Sequence, residues 1–277
     1  TPRQRARRDV VRALADAGLT QVLSYPFIGD VHDVFEIPAG DPRRDAVRLA
    51  NPLAEDAPYL RTSVLDSLVE VARRNVSRGL DDVAVYEVGS VTHPAGTLPA
   101  PVPGVQSRPS EEEIAAVEAG IPAQPTHVGA ILAGEREHTG VLGAGRPWTW
   151  ADAVEVVRTI ARTLGVSIEV AAPADPMAPW HPGRTAEVRL PGERRGGTIL
   201  PGPVVGYAGE LHPCVVRAFD LPERACALEI DLEPLLEAAG AAGAVPYEPA
   251  RVSSRTVRRT RAGRSASTTT RRSRRAD

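Results

Sequence analysis

The 277-residue chain contains no lysine, and all thirty-three of its basic residues are arginine. Ala, Gly, Pro, Val and Arg dominate, so the gap reflects a GC-rich coding sequence more than a structural demand. Cysteine is almost as scarce. Cys214 and Cys226 show no metal-type spacing, which argues against a disulfide scaffold and against a zinc site. No run approaches the ~20 apolar residues that span a bilayer, and no secretory leader is visible. The expectation is a soluble cytoplasmic protein with no membrane partner. No Gly-x-Gly-x-x-Gly follows the first strand, and no Gly-x-Ser-x-Gly surrounds Ser24, Ser63 or Ser90. A dinucleotide-binding fold and a serine hydrolase are thereby disfavoured.

The formal net charge of −2 conceals an imbalance. Residues 251–277 hold ten Arg and one Asp; the other 250 hold twenty-three Arg against thirty-four acidic residues. An acidic body is a poor general binder of nucleic acid. The tail has too few apolar side chains to order itself. One reading makes it a basic arm for tRNA or another polyanion.

The stretch around which the rest is arranged is residues 51–79, NPLAEDAPYLRTSVLDSLVEVARRNVSRG. Asn51-Pro52 turns the backbone, because the residue before proline is pushed out of the helical region. Tyr59, Leu60 and Arg61 form an extended piece. Thr62 or Ser63 then caps a helix, with Asp66 as a weak capping-box partner. Leu65, Leu68, Val69 and Ala72 make one apolar stripe. Arg73, Arg74 and Arg78 suit the C-terminal end of the dipole, and Gly79 stops the helix. A strand, VAVYEVGSV, follows Asp81-Asp82.

Elsewhere the pattern predicts a helix over residues 2–17, a strand over 21–27 ended by Pro26, and a loose proline-rich insertion at about 94–125 with one short helix near 111–119. THVGAILA (126–133) resumes the sheet. A second long helix covers 148–164, with Asp152 near its start and Val154, Val157, Ala161 and Leu164 facing inward. Strands are expected at 167–170, 185–190, 204–211 and 224–232, and a hairpin at 191–203. Residues 178–184 read as a turn. The irregular alternation favours an α+β fold with an antiparallel sheet flanked by helices over a doubly wound parallel sheet.

The words LSYPF, NPLAEDAPYLRTSVLDSL, RN, VYEVGSV, WHPGRTAEV and VGYAGELHPCV…FDLP occur in this order. Together they resemble the catalytic-like module of the bacterial phenylalanyl-tRNA synthetase β-subunit family, from about Val10 to about Pro246. The resemblance implies a class II synthetase-like sheet over residues 1–250. It also implies an α₂β₂ assembly with a catalytic α subunit and a second β chain, acting on tRNA with ATP and magnesium. Earlier domains of the family, including a magnesium-holding interface region, are not in this sequence, nor is the downstream anticodon-binding domain. In the family the chain continues past RVSS with a strand; here it turns to Arg, Thr, Ser and Gly. A frame shift near Ser254 is therefore preferred over a native basic arm.

In the family's α subunit, arginines grip ATP from an Arg-x-Glu strand and from a Gly-x-Gly-x-Glu-Arg strand and helix. Here Val85 stands two residues before Glu87, and Pro234 stands where the second arginine would lie. Asp231 and Glu233 would repel a triphosphate. The resemblance thus implies no catalytic residue, and no cofactor or metal bound by this chain. Arg61, Thr62, Ser63, Arg73 and Arg74 are the expected subunit-interface residues. His181 and His212, each followed by proline, read as turn-makers with no Cys or carboxylate at ligand spacing. Arg184 and Glu210 are expected to form a buried ion pair or to touch a partner chain. Two other functions stay open: a regulatory module binding an amino acid or nucleotide, and a nucleic-acid-binding protein using the tail.

Overall fold

Pro at the first helical position and Thr1 as N-cap start α1 (Pro2–Asp16), which buries Val10 and Leu14. In this computed structural model residues 1–93, 101–141, 143–195 and 198–241 are described. The Arg-rich tail at 251–277 and part of the insertion at 94–125 lie outside them. The remaining helices are α2 (Leu65–Val76), α3 (Glu111–Ala119), α4 (Trp150–Leu164), α5 (Pro213–Ala218) and α6 (Leu232–Ala241). The strands are β1 (Thr20–Gln21), β2 (Phe27–Ile28), β3 (Tyr59–Leu60), β4 (Val83–Ser90), β5 (Thr126–Ala133), β6 (Glu135–Glu137) and β7 (Arg146–Pro147). They continue with β8 (Glu169–Ala171), β9 (Trp180–Arg189), β10 (Glu193–Arg195), β11 (Thr198–Leu200), β12 (Val204–Leu211) and β13 (Cys226–Asp231).

Seven strands form one sheet in the order β1-β4-β5-β13-β12-β9-β8. Only the edge pair β1·β4 is parallel; the other five pairings are antiparallel. The expected α+β class and antiparallel sheet are what is found. Because side chains alternate across a strand, each face of the sheet has its own core. Tyr86 and Val88, then Val128, Ala130 and Leu132, then Leu228 and Ile230 face α1, α4 and α6. Val83, Val85, Ile131, Ala133 and Ala227 face α2 and α5. Gly129 lets α2 lie close to this second face, since a Cβ there would press on Val64 and Leu68.

The helix stripe Leu65, Leu68, Val69 and Ala72 is fully buried, as its spacing requires. α4 has the predicted inward residues Val154, Val157 and Ala161, with Leu164 partly buried. Gly165 closes it at φ +68. The hairpin expected at 191–203 appears as β10 and β11.

Three expectations need correction. The strand expected at 21–27 keeps the ladder only through Val22, whose N–H donates to the Tyr86 carbonyl. Beyond it the chain leaves the sheet, and Leu23 and Tyr25 are 91% and 81% exposed. Residues 180–184, read as part of a turn, belong to β9. The strand absorbs the irregularity as a register shift between Gly209 and Leu211 on its partner. The last strand stops at Asp231, and Leu232 to Ala241 are helical. Pro234 therefore sits in the first turn of α6, where a missing N–H costs little.

Candidate functional site

The polar part of the second face begins with Arg61. The chain enters from β3, and Thr92 N–H donates to the Arg61 carbonyl while Arg61 N–H donates to Pro26, which fixes the residue over β4. Its side chain is 3% exposed. Nη2 donates to Glu87 Oε1 at 2.8 Å, Nη1 to Ser67 Oγ at 2.6 Å and Ser24 Oγ at 3.0 Å, and Nε to the Ser90 carbonyl at 3.1 Å. Ser24 also hydrogen-bonds Glu87. Gly89 makes room: a Cβ there would collide with the guanidinium. Glu87, the one acid in VYEVGSV, thus has its charge fully answered inside the chain. Val85 is packed in the second core, so no cation projects from that position.

Two strands over, across β5, β13 places Glu229 on the same face. Its carboxylate accepts from Val64 N–H at 2.9 Å, from the Ser63 hydroxyl and from His127 Nδ1 at 2.7 Å. Burial alone would raise the Glu229 pKa, but the His127 and Ser63 bonds prevail and hold it below the usual carboxylate range. Burial works against charge on His127 too, and Glu229 overcomes it, so its pKa is raised. The two form a charged pair. Behind them Asp66 is buried at the start of α2, accepting from Ser63 N–H at 3.1 Å. Burial first, and the Glu229 charge second, push its pKa to about 7. Among the described residues its Oδ1 has no hydrogen-bond partner.

Ser63, His127 and Glu229 border a cavity of about 510 Å³. Met177, Trp180, Val204, Val205 and Tyr207 give it an apolar wall, with the Trp180 and Tyr207 rings 5.5 Å apart. Glu229, Asp231, His127, His93, Asp41 and Arg43 line the rest of it. Arg43 is not free. Asp41 clamps it through two oxygens at 2.7 and 3.0 Å, and the Ala178 carbonyl takes a third bond at 2.6 Å. Asp231 is half-buried and its pKa raised, chiefly by burial. Burial lowers the pKa of His93, with His127 adding to the effect.

A bound ATP would need cations aimed at its phosphates. Among the described residues lining this cavity, the one arginine is tied to Asp41 and two carboxylates look inward. The donor set does not fit a magnesium triphosphate. Glu233, expected to repel a phosphate chain, does not line the cavity; it lies on α6 beside Arg3. Glu229 takes that place.

Of the expected interface residues, Arg61, Thr62 and Ser63 are buried within the chain, and Thr62 and Ser63 line the cavity. Arg73 and Arg74 are on the exposed side of α2, with Arg73 paired to Glu70. Arg184 does pair with Glu210 at 2.7 Å, and Arg224 joins at 2.8 Å; only Glu210 is fully buried. His181, expected as a turn-maker, lies in β9 and accepts from Gly183 N–H at 3.0 Å. His212 N-caps α5. Contrary to the expectation, ligand-type neighbours do lie near it: Cys214 stands two residues on, and Glu36 reaches it from far away in sequence. His127 was missed altogether. The signal was in the alternation of THVGAILA, which puts His127 in phase with Gly129 and Ile131 on the face opposite Val128.

A protein-family model, the phenylalanyl tRNA synthetase beta chain CLM domain, matches residues 1–232. The chain belongs to that family. A phenylalanine–tRNA ligase beta subunit from Streptomyces avermitilis is 47% identical over 247 residues, which is 86% of this chain and 28% of that protein. The beta subunit from Thermobifida fusca is also 47% identical, over 88% of this chain and again 28% of the relative. The chain thus spans little more than a quarter of the beta subunits it matches. Two solved structures of pyrrolysyl-tRNA synthetase from Desulfitobacterium hafniense share the fold, at TM-scores of 0.53 and 0.54 and 13% and 12% identity. They cover 86% of this chain, and 70% and 67% of the solved ones. The sheet thus has the fold of those two synthetase structures, and the cavity lies on one of its faces.

Proposed function

We propose that this CLM domain serves a phenylalanine–tRNA ligase as a scaffold that does not itself activate an amino acid. It supports the ATP- and magnesium-dependent attachment of phenylalanine to tRNA by packing against a catalytic α subunit and a second β chain in an α₂β₂ assembly in the cytoplasm. The observation that carries this reading is the neutralisation of the two sheet-facing arginines. Arg61 is bound to Glu87, and Arg43 to Asp41. Neither can shed its partner without leaving a carboxylate unpaired in a part-buried setting.

The test is pyrophosphate exchange. The purified chain, given phenylalanine, ATP and magnesium, should not incorporate labelled pyrophosphate into ATP, while a complex with an α subunit should. Exchange by the lone chain at a rate that Arg43→Ala lowers would overturn the proposal.

A second reading is favoured by the cavity. Its volume falls within the ~300–1,000 Å³ of ligand pockets, and its apolar wall with an acidic floor suits a small amine better than a nucleotide. In this reading the module binds an amino acid for regulation. Saturable phenylalanine binding by the lone chain, lost in Trp180→Ala, would favour it.

A further inference from the structure

We propose that Glu36, His212 and Cys214 form a binding site for a borderline-soft divalent cation of the Zn²⁺ class. The site lies where α5 begins, apart from the cavity, and does not depend on the functional reading above. One ligand atom from each residue lies within 4.8 Å of the other two. His212 and Cys214 arrive together because the first caps the helix in whose opening turn the second stands. Glu36 arrives from a turn anchored by the buried Phe35 and Ile37. Its backbone is left-handed, at φ +56, a conformation non-glycine residues rarely adopt. In that conformation its Oε2 lies 2.6 Å from His212 Nδ1.

The contacts of Nδ1 conflict. The nitrogen faces the Glu36 carboxylate, which asks it to donate, and the Cys214 N–H at 3.4 Å, which asks it to accept. One imidazole nitrogen does only one of these at a time. A cation resolves the clash between the carboxylate and a bare ring nitrogen by giving both lone pairs the same partner, and it gains the sulfur as a third ligand. A thiolate, an imidazole and a carboxylate together select Zn²⁺ or Co²⁺ over Mg²⁺ and Ca²⁺. Three protein ligands leave a fourth position for water. Glu36 is exposed and His212 partly so, which leaves a path for the ion. Arg217, exposed and 3.3 Å from Cys214 Sγ, swings away as the ion enters. Binding releases the thiol proton and any proton on Nδ1 to solvent, with no change of oxidation state.

The test uses the full chain stripped with chelator and titrated with Co²⁺. The expected result is a stoichiometric complex with a thiolate-to-cobalt charge-transfer band and the intense visible bands of tetrahedral cobalt, both erased by added Zn²⁺. Cys214→Ser should abolish the charge-transfer band, and Cys226→Ser, in the other core, should leave it. His212→Asn keeps a good N-cap residue and should weaken binding at least tenfold, as should Glu36→Gln. Circular dichroism shows that each variant is folded. Absence of the band at stoichiometric cobalt, or its survival in Cys214→Ser, would overturn the proposal.

Discussion

The two faces of the sheet are made from the same strands, yet they are held in different ways. On one face the buried side chains of β4, β5 and β13 are nearly all apolar, the Tyr86 hydroxyl donating to the Val11 carbonyl, and α1 and α4 seal it. On the other, Val83, Val85, Ile131, Ala133 and Ala227 occupy one end of the strands and Glu87, His127, Glu229 and Asp231 the other, so that packing under α2 gives way to ion pairs and then to the cavity. The first face rests mainly on shape and volume, with Asp152 at the start of α4 paired to Arg136 and Arg146 at its edge. The second needs each charge to meet its partner, because an unmet charge in a dry setting costs far more than a lost methylene. In a synthetase-like sheet this second face is the one with room for a ligand. Here the Arg61, Arg43 and His127 side chains on that face are paired with carboxylates inside the chain.

Breaking one charge on the polar face should have the largest effect. Arg61→Ala leaves Glu87 buried without its partner and should destabilise the chain by about 3–5 kcal/mol in urea unfolding. The double variant Arg61→Met, Glu87→Leu should recover most of that loss. If the single variant unfolds at the wild-type midpoint, the polar face is not held by this pair. On the apolar face, Ile160→Ala removes a fully buried side chain of α4 and should cost about 2–5 kcal/mol. No second substitution by a charge-neutral residue should rescue it, and that contrast separates the two faces.

A smaller, pH-dependent effect comes from Asp66. Its carboxyl titrates near 7 in the folded chain against 3.8 unfolded. The folded state therefore holds a proton that the unfolded state has lost, and its stabilising effect disappears as pH rises from about 4 to about 7. Asp66→Asn keeps an oxygen for the Ser63 N–H and removes the titration. The variant should match the wild type near pH 4 and be the more stable at pH 8. Its stability curve should be flatter by up to about 1.4 kcal/mol per pH unit in between. Parallel curves for the two proteins would place the titration elsewhere.

Periodicity exposed the apolar face and much of the fold, since Leu65, Leu68, Val69, Ala72, Val154 and Val157 carry their destination in their spacing. The polar face was less legible. Arg61 beside Thr62 and Ser63 reads as a surface word, and nothing local says that Glu87, twenty-six residues on, will receive its guanidinium. Glu229 and His127 are 102 residues apart and meet only through the β5·β13 register. Glu36 and His212 are separated still further. Pairings of that range are decided by topology, which local patterns do not encode. Leu23 and Tyr25 mislead for the opposite reason: their β-propensity is real, but after Val22 no neighbouring strand receives them.

The gentlest test concerns the outside of α2. Arg73, Arg74 and Arg78 crowd one exposed helix end on a body that is acidic elsewhere. Arg73 already has Glu70 at 2.7 Å, and exposed pairs of this kind add little to stability. The combined variant Arg73→Gln, Arg74→Gln should therefore unfold at the wild-type urea midpoint. If these arginines meet an acidic surface of an α subunit, the same variant should be captured by that subunit about tenfold less well at low salt, with the difference shrinking as salt is raised. Unchanged capture would move the interface off this helix. A changed midpoint would mean that the polar face extends further around α2 than its burial indicates.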